Sequence, residues 1–138
     1  MQIKHVMTKN VELVSPDTSV AAAAQQMRDH DIGALPVGKD EKMIGMLTDR
    51  DIVLRVVAEG RDSDDATVGE TMSPGVRYCF EDQHLDDVAL NMASQQIRRL
   101  PVVNRDKRLV GIVSITDLAT DGDHASVGEA LEGISKPI

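Results

Sequence analysis

Two periodicities alternate along this chain, and the alternation occurs twice. Val20, Ala23, Ala24 and Met27 recur at helical spacing behind Thr18 and Ser19, either of which can cap a helix running to about His30. The four successive alanines mark close approach to a neighbour. Val11 to Val14 before that helix, and Leu35 to Val37 and Met43 to Leu47 after it, predict short strands, with a polar turn from Gly38 to Lys42. Thr48 then opens a helix through Ile52, Val53 and Val56 to about Ala58, and Gly60 to Asp65 is a charged linker. The second passage predicts the same order: a strand at Val76 to Cys79, a helix with the stripe Leu85, Val88, Ala89 and Met92 ending near Gln95, strands at Leu100 to Val103 and Leu109 to Val113, and a short helix from Ser114 containing Leu118.

The two passages align as a repeat. Met7-Thr8 matches Met72-Ser73, Met27 matches Met92, and Leu35-Pro36-Val37 matches Leu100-Pro101-Val102, all at an offset of 65 residues. One extra residue in the second turn makes the offset 66, so that Gly45 meets Gly111 and Asp51 meets Asp117. A repeat fixes architecture before any motif does. Residues 1–66 and 67–138 are the expected domains, each an α/β (α+β) unit of a small β-sheet packed with two helices, related by pseudo-twofold symmetry. Thr67-Val68-Gly69-Glu70 has capping-box spacing and introduces the second repeat. Ser126-Val127-Gly128-Glu129 echoes it and predicts a short closing helix over Ser126 to Leu131.

Composition narrows the function classes. With 138 residues, the halves of about 65 are each too small for a strong core alone, which favours one cooperative unit. One Tyr, one Phe and no Trp require an aliphatic, Met-based core. The net charge of -8 divides evenly: 8 basic and 12 acidic groups in residues 1–66, 7 and 11 in residues 67–138. That balance opposes nonspecific nucleic-acid binding but leaves room for a local anion pocket. No apolar run approaches the ~20 residues of a membrane span and no signal segment opens the chain, so a cytoplasmic location and no membrane partner are expected. The lone Cys79 cannot form an internal disulfide and reads as a small buried residue. His5, His30, His84 and His124 show no metal-ligand spacing, though subunit packing offers a route to zinc. Asp121-Gly122-Asp123 lacks the rest of a calcium loop. No nucleophile–base constellation or phosphate loop is present, so no enzyme is expected.

The candidate chemistry lies where each second strand ends: Gly45-Met46-Leu47-Thr48-Asp49-Arg50-Asp51 and Gly111-Ile112-Val113-Ser114-Ile115-Thr116-Asp117. The shared skeleton is a glycine, two residues, a hydroxyl residue, two residues and an aspartate. It sets a hydroxyl beside a carboxylate at a helix start. Two readings fit. One is an ordinary capped helix. The other is a ligand corner, in which free backbone N–H groups attract phosphate and the carboxylate accepts bonds from vicinal hydroxyls.

Taken in order, Met7-Thr8, Asp31-Ile32-Gly33-Ala34-Leu35-Pro36-Val37, the Gly45 to Val53 segment, Met72-Ser73-Pro74, Ile97-Arg98-Arg99-Leu100-Pro101-Val102 and the Gly111 to Leu118 segment resemble a tandem pair of cystathionine-beta-synthase (CBS) domains. The likeness covers nearly the whole chain, and its specificity comes from the ordered set occurring twice. The resemblance implies facing sheets with two pseudo-symmetric clefts, which in many such pairs bind AMP, ADP, ATP or adenosyl ligands and in others are empty. It also implies a disc-like homodimer, no required cofactor, and an output through an unidentified effector protein in trans. Carried over by position, Asp51 and Asp117 bond ribose hydroxyls, and Thr48 and Ser114 approach phosphates. Val14-Ser15, Cys79-Phe80, Ala34-Leu35-Pro36 and Arg99-Leu100-Pro101 wall the base. The corners differ: Gly33-Ala34 becomes Arg98-Arg99, Arg50 becomes Thr116, and Asp49 adds negative charge beside Thr48. Arg98-Arg99 reads either as a solvated surface pair or as a phosphate contact. The rival to a nucleotide sensor is a structural or interaction homodimer with vestigial or metal-binding sites.

Overall fold

The computed structural model describes residues 1–11, 13–40, 42–75, 77–121 and 124–135. Glu12 and Val76 of two expected strands, Glu41 of the expected first turn, Gly122-Asp123 of the calcium-like sequence and the terminal Lys136-Pro137-Ile138 lie outside them, as do the side chains of Thr120, Asp121, His124 to Val127, Glu129 and Ala130.

The described chain forms two compact units, and the chain does not divide between them at the repeat boundary. One unit comprises Glu12–Val76; the other comprises Met1–Val11 together with Arg77–Ile138. The boundary expected at 66/67 therefore falls inside the first of these. Each repeat's leading segment is built into the unit that holds the other repeat's hairpin.

In the 12–76 unit, α1 (Val20–His30) starts where the Ser19 hydroxyl accepts the Ala22 N–H, and it buries Val20, Ala23 and Met27. It ends at Asp31 in the left-handed region, φ 52°, whose N–H returns to the Arg28 and Met27 carbonyls. The antiparallel hairpin β2 (Ala34–Lys39) and β3 (Lys42–Thr48) sets Leu35 against Leu47 and Ala34 against Thr48. A two-residue strand, β4 (Ser73–Pro74), pairs on the far side of β3. Of the expected strand Val11 to Val14, the described residues form one parallel bridge, between Val14 and Val37. Pro36 can sit in this sheet because its carbonyl, not its missing N–H, serves the bridge: Val14 N–H donates to it at 2.9 Å. After β3, the helix is α only over α2 (Asp49–Ile52) and widens to a π turn at Val53–Val57. The short helix α3 (Val68–Thr71) follows the linker. Its cap is Thr67, whose hydroxyl accepts the Glu70 N–H at 3.3 Å, while the Glu70 carboxylate accepts the Thr67 hydroxyl and Arg61.

The other unit repeats this plan. Its sheet runs β1 (Thr8–Lys9), β7 (Leu109–Ser114), β6 (Arg99–Val103), β5 (Cys79–Phe80), with β5 parallel to β6 as Val14 is to Val37. The helix α4 (Leu85–Gln95) ends at left-handed Gln96, φ 56°, in the same geometry as Asp31. The helix α5 (Ile115–Asp121) follows β7, and α6 (His124–Ser135) is twice the expected length of the closing helix. It seats on α4 at Gly133, where an added Cβ would lie 2.6 Å from the Ala93 Cβ. The cores are aliphatic, as the composition requires: Leu35, Val37, Leu47 and Val68 in one unit, Ile3, Val88, Met92, Leu100 and Val113 in the other.

Glycine seats the exchanged lead segments. A Cβ on Gly45 would stand 2.6 Å from the Ser73 carbonyl oxygen and 2.9 Å from the Met72 sulfur. On Gly111 the corresponding distances are 2.6 Å to the Thr8 oxygen and 2.8 Å to the Met7 sulfur. The backbone oxygen cannot swing away as a side chain can. Gly45→Ala and Gly111→Ala are each expected to cost about 1–3 kcal/mol in urea unfolding through overpacking. Gly128→Ala, whose Cβ meets nothing within 4 Å on α6, is expected to raise stability by about 0.5–1 kcal/mol.

Candidate functional site

The two hydroxyl–carboxylate corners form as reciprocal capping boxes. At the first, Thr48 N–H donates to Asp51 Oδ2 at 3.0 Å and Asp51 N–H donates to Thr48 Oγ1 at 3.1 Å. At the second, Ser114 N–H donates to Asp117 Oδ2 at 2.9 Å and Asp117 N–H to Ser114 Oγ at 3.2 Å. The capped-helix reading therefore holds at both places. It leaves hydrogen-bonding capacity unused, since each hydroxyl keeps its own hydrogen to donate and each carboxylate keeps acceptor capacity.

One expectation changes. Free N–H groups do not greet a phosphate at the first corner. Asp49 N–H donates to the Gly33 carbonyl at 2.9 Å and Arg50 N–H to Asp49 Oδ1 at 2.9 Å, so all four N–H groups from Thr48 to Asp51 are satisfied within the chain. At the second corner, Ile115 N–H likewise donates to the Arg98 carbonyl at 2.9 Å, but Ile115 has no carboxylate to match Asp49. The corners thus offer hydroxyl donors and carboxylate acceptors, which suit a diol better than a bare anion.

Cation supply distinguishes them. Across the hairpin, Thr48 faces buried Ala34, whereas Ser114 faces exposed Arg99. Directly opposed strand residues have Cβ atoms within about 5.5 Å, so the Arg99 guanidinium has the reach to meet an anionic group above Ser114. Arg98, Arg50 and Thr116 are also exposed. Among the described residues, Arg50, Arg98 and Arg99 form no ion pair.

The residues expected to wall a base are divided. Val14, Leu35, Cys79 and Leu100 turn their side chains into the cores, and Ala34, Pro36 and Pro101 are buried. Burial pushes the Cys79 thiol up to about 12, so it stays protonated and unreactive at neutral pH. Ser15 is exposed, its hydroxyl accepting Asp17 N–H. Phe80 is half-buried, with the Tyr78 ring edge-on at 5.6 Å and the Arg105 guanidinium 4.2 Å from its centroid. Arg105 is fixed by two bonds to Asp82 at 2.7 and 2.8 Å, and this pairing holds the Asp82 carboxyl below its usual range.

Two residues that sequence reasoning passed over act at the first corner. The Ser73 hydroxyl straddles the Asp51 carboxylate at 3.3 and 3.5 Å. Arg55 Nη1 lies 3.9 Å from Asp51 Oδ1 and donates to the carbonyls of Thr71 and Met72 at 2.8 and 3.0 Å. The one available signal was the hydroxyl kept at both Thr8 and Ser73, which looked like part of a repeat anchor.

Comparison with known proteins agrees with this architecture. The model of the CBS domain matches residues 3–58 and again 68–121. "CBS domain-containing protein YhcV" of Bacillus subtilis is 43% identical over 134 residues, covering 96% of this chain and 94% of that protein. "Hypoxic response protein 1" of Mycobacterium tuberculosis is 38% identical over 136 residues, covering 98% and 94%. Among solved structures, Hypoxic Response Protein I with two coordinated zinc ions superposes with TM-score 0.79 at 40% identity, covering 89% of this chain and 100% of that one. The CBS domain pair of protein MJ0100, in complex with 5-methylthioadenosine and S-adenosyl-L-methionine, superposes with TM-score 0.77 at 29% identity, covering 87% and 94%. With the domain matched twice and one sheet of like plan in each unit, the chain belongs to the CBS-domain family as a tandem pair.

Proposed function

We propose that this protein is a non-catalytic regulatory module that binds an adenine nucleotide or related adenosyl ligand at its hydroxyl–carboxylate corners and signals to an effector protein in trans. The observation that carries this reading is the duplicated pair Thr48/Asp51 and Ser114/Asp117, each with a partly exposed carboxylate beside a hydroxyl able to donate. Vicinal ribose hydroxyls donate to a carboxylate, and the Arg98-Arg99 pair beside Ser114 supplies charge for phosphates. The adenosyl ligands named for the MJ0100 domain pair support the same ligand class. Adenine would be met by backbone groups and Phe80, since the aliphatic residues assigned to its wall are committed to the cores.

The active form in this proposal is a homodimer. Val53, Leu54 and Val57, on the helix after β3, are 53%, 47% and 66% exposed, and self-association would cover them. A second reading, metal-dependent assembly, draws on the zinc ions of the hypoxic response protein structure. Among the described residues, no group of three or more His, Cys, Asp or Glu side chains is placed to hold a metal.

Titration calorimetry with AMP, ADP, ATP, S-adenosylmethionine and NADH tests the ligand. Micromolar binding by at least one is expected, weakened at least tenfold by Asp117→Ala; silence from all five rejects the nucleotide reading. Val57→Glu is expected to convert dimer to monomer in sedimentation velocity, and an unchanged sedimentation coefficient removes this face from the interface. Elemental analysis of untagged protein is expected to find no zinc; one zinc per chain favours the metal reading.

A further inference from the structure

We infer that the two carboxylates have diverged in role, Asp117 being the primary ligand carboxylate and Asp51 a latch that holds the exchanged lead strand β4. The ligand half of this inference rests on the nucleotide reading above; the latch half does not.

The two corners match in their caps and differ in what else reaches the carboxylate. Both aspartates close the same capping box, with N–H donors at 3.0 and 2.9 Å. Beyond that, among the described residues, Asp51 is engaged from the lead segment and Asp117 is not. The Ser73 hydroxyl lies between the two Asp51 oxygens at 3.3 and 3.5 Å. Thr8 occupies the equivalent place beside β7, yet among the described residues no hydrogen bond joins it to Asp117. Arg55 adds a second tie. Its Nη1 bridges the Asp51 side to the carbonyls of Thr71 and Met72, the residues leading into β4. The repeat places Asp121, an acid, where Arg55 stands.

Each tie lowers the ability of Asp51 to accept ribose hydroxyls. Its acceptor positions are partly filled, its charge is partly countered, and its side chain is only 12% exposed. A ligand there would have to displace Ser73 and loosen β4. At Asp117 the carboxylate has only its helix cap to serve among the described residues, and Arg99 stands opposite Ser114. The same duplication has therefore produced one corner built to hold the chain and one left open to hold a ligand.

Melting the ligand-free protein tests the latch. Asp51→Asn and Asp117→Asn remove the same capping carboxylate, so their difference isolates Ser73 and Arg55. Asp51→Asn is expected to melt about 4 °C below Asp117→Asn. Ser73→Ala should show part of that loss, while Thr8→Ala should show none. Equal melting of the two Asn variants, or of the two Ala variants, overturns the latch. Calorimetric titration with AMP and S-adenosylmethionine tests the ligand half. Tight binding of one equivalent per chain is expected, lost in Asp117→Asn, with a second equivalent gained in Ser73→Ala. Undiminished binding in Asp117→Asn overturns the assignment of Asp117. Failure of wild-type protein to bind either ligand or the other nucleotides rejects the nucleotide reading and the ligand half with it, while the melting comparison still decides the latch.

Discussion

The seating of each lead segment on a bare glycine backbone is the constraint on which the rest depends. Gly45 admits Met72-Ser73 to the edge of one sheet, and Gly111 admits Met7-Thr8 to the other, at distances where a Cβ would collide with a carbonyl oxygen. Because each lead segment pairs with the hairpin of the other repeat, neither sheet is complete within its own stretch of sequence. The chain is stitched at its two Met-Thr/Ser anchors. A hydroxyl delivered at such an anchor also lands near the start of the helix that follows β3.

That proximity links architecture to chemistry. The capping boxes of Thr48/Asp51 and Ser114/Asp117 are first a solution to helix termini: four N–H donors need partners, and a short side chain at either end of the first turn provides two. The carboxylates that result are fixed in place and have acceptor capacity left over. Fixed acceptors beside a hydroxyl are what a diol-bearing ligand requires. The divergence between the corners follows from a few side chains: Arg99 for Ala34, Ile115 for Asp49, and the Ser73 and Arg55 ties that, among the described residues, Asp51 carries and Asp117 does not.

Much of this was legible in the sequence. The helix over Val20–His30 with its Ser19 cap, the helix over Leu85–Gln95, both hairpins and both corner pairs are found where periodicity and spacing put them. These are local features, written in residues close together in the chain. The lengths of the weak elements were less legible. Val14 makes only one bridge, and the turn after Val37 begins two residues late because β2 runs on to Lys39. The end of β2 is fixed by Lys39 pairing with Lys42 across the turn, and Val14 by a partner 23 residues further along the chain.

The sequence by itself determined the doubled plan, the aliphatic cores and the identity of the two hydroxyl–carboxylate pairs, because repeats, periodicity and capping all act within a few turns of chain. Only the tertiary structure decided which lead segment completes which sheet, since Met7-Thr8 and Met72-Ser73 look alike and either glycine would admit either. It alone decided that the N–H donors at Thr48–Asp51 are spent internally. It also showed that the side chains of Leu35, Leu100 and Cys79 turn into the cores, and that Ser73 and Arg55 reach Asp51 across 22 and 4 residues of sequence. Hydrogen bonds are short-ranged and directional, so which acceptor a hydroxyl finds is settled by where the backbone sets it down.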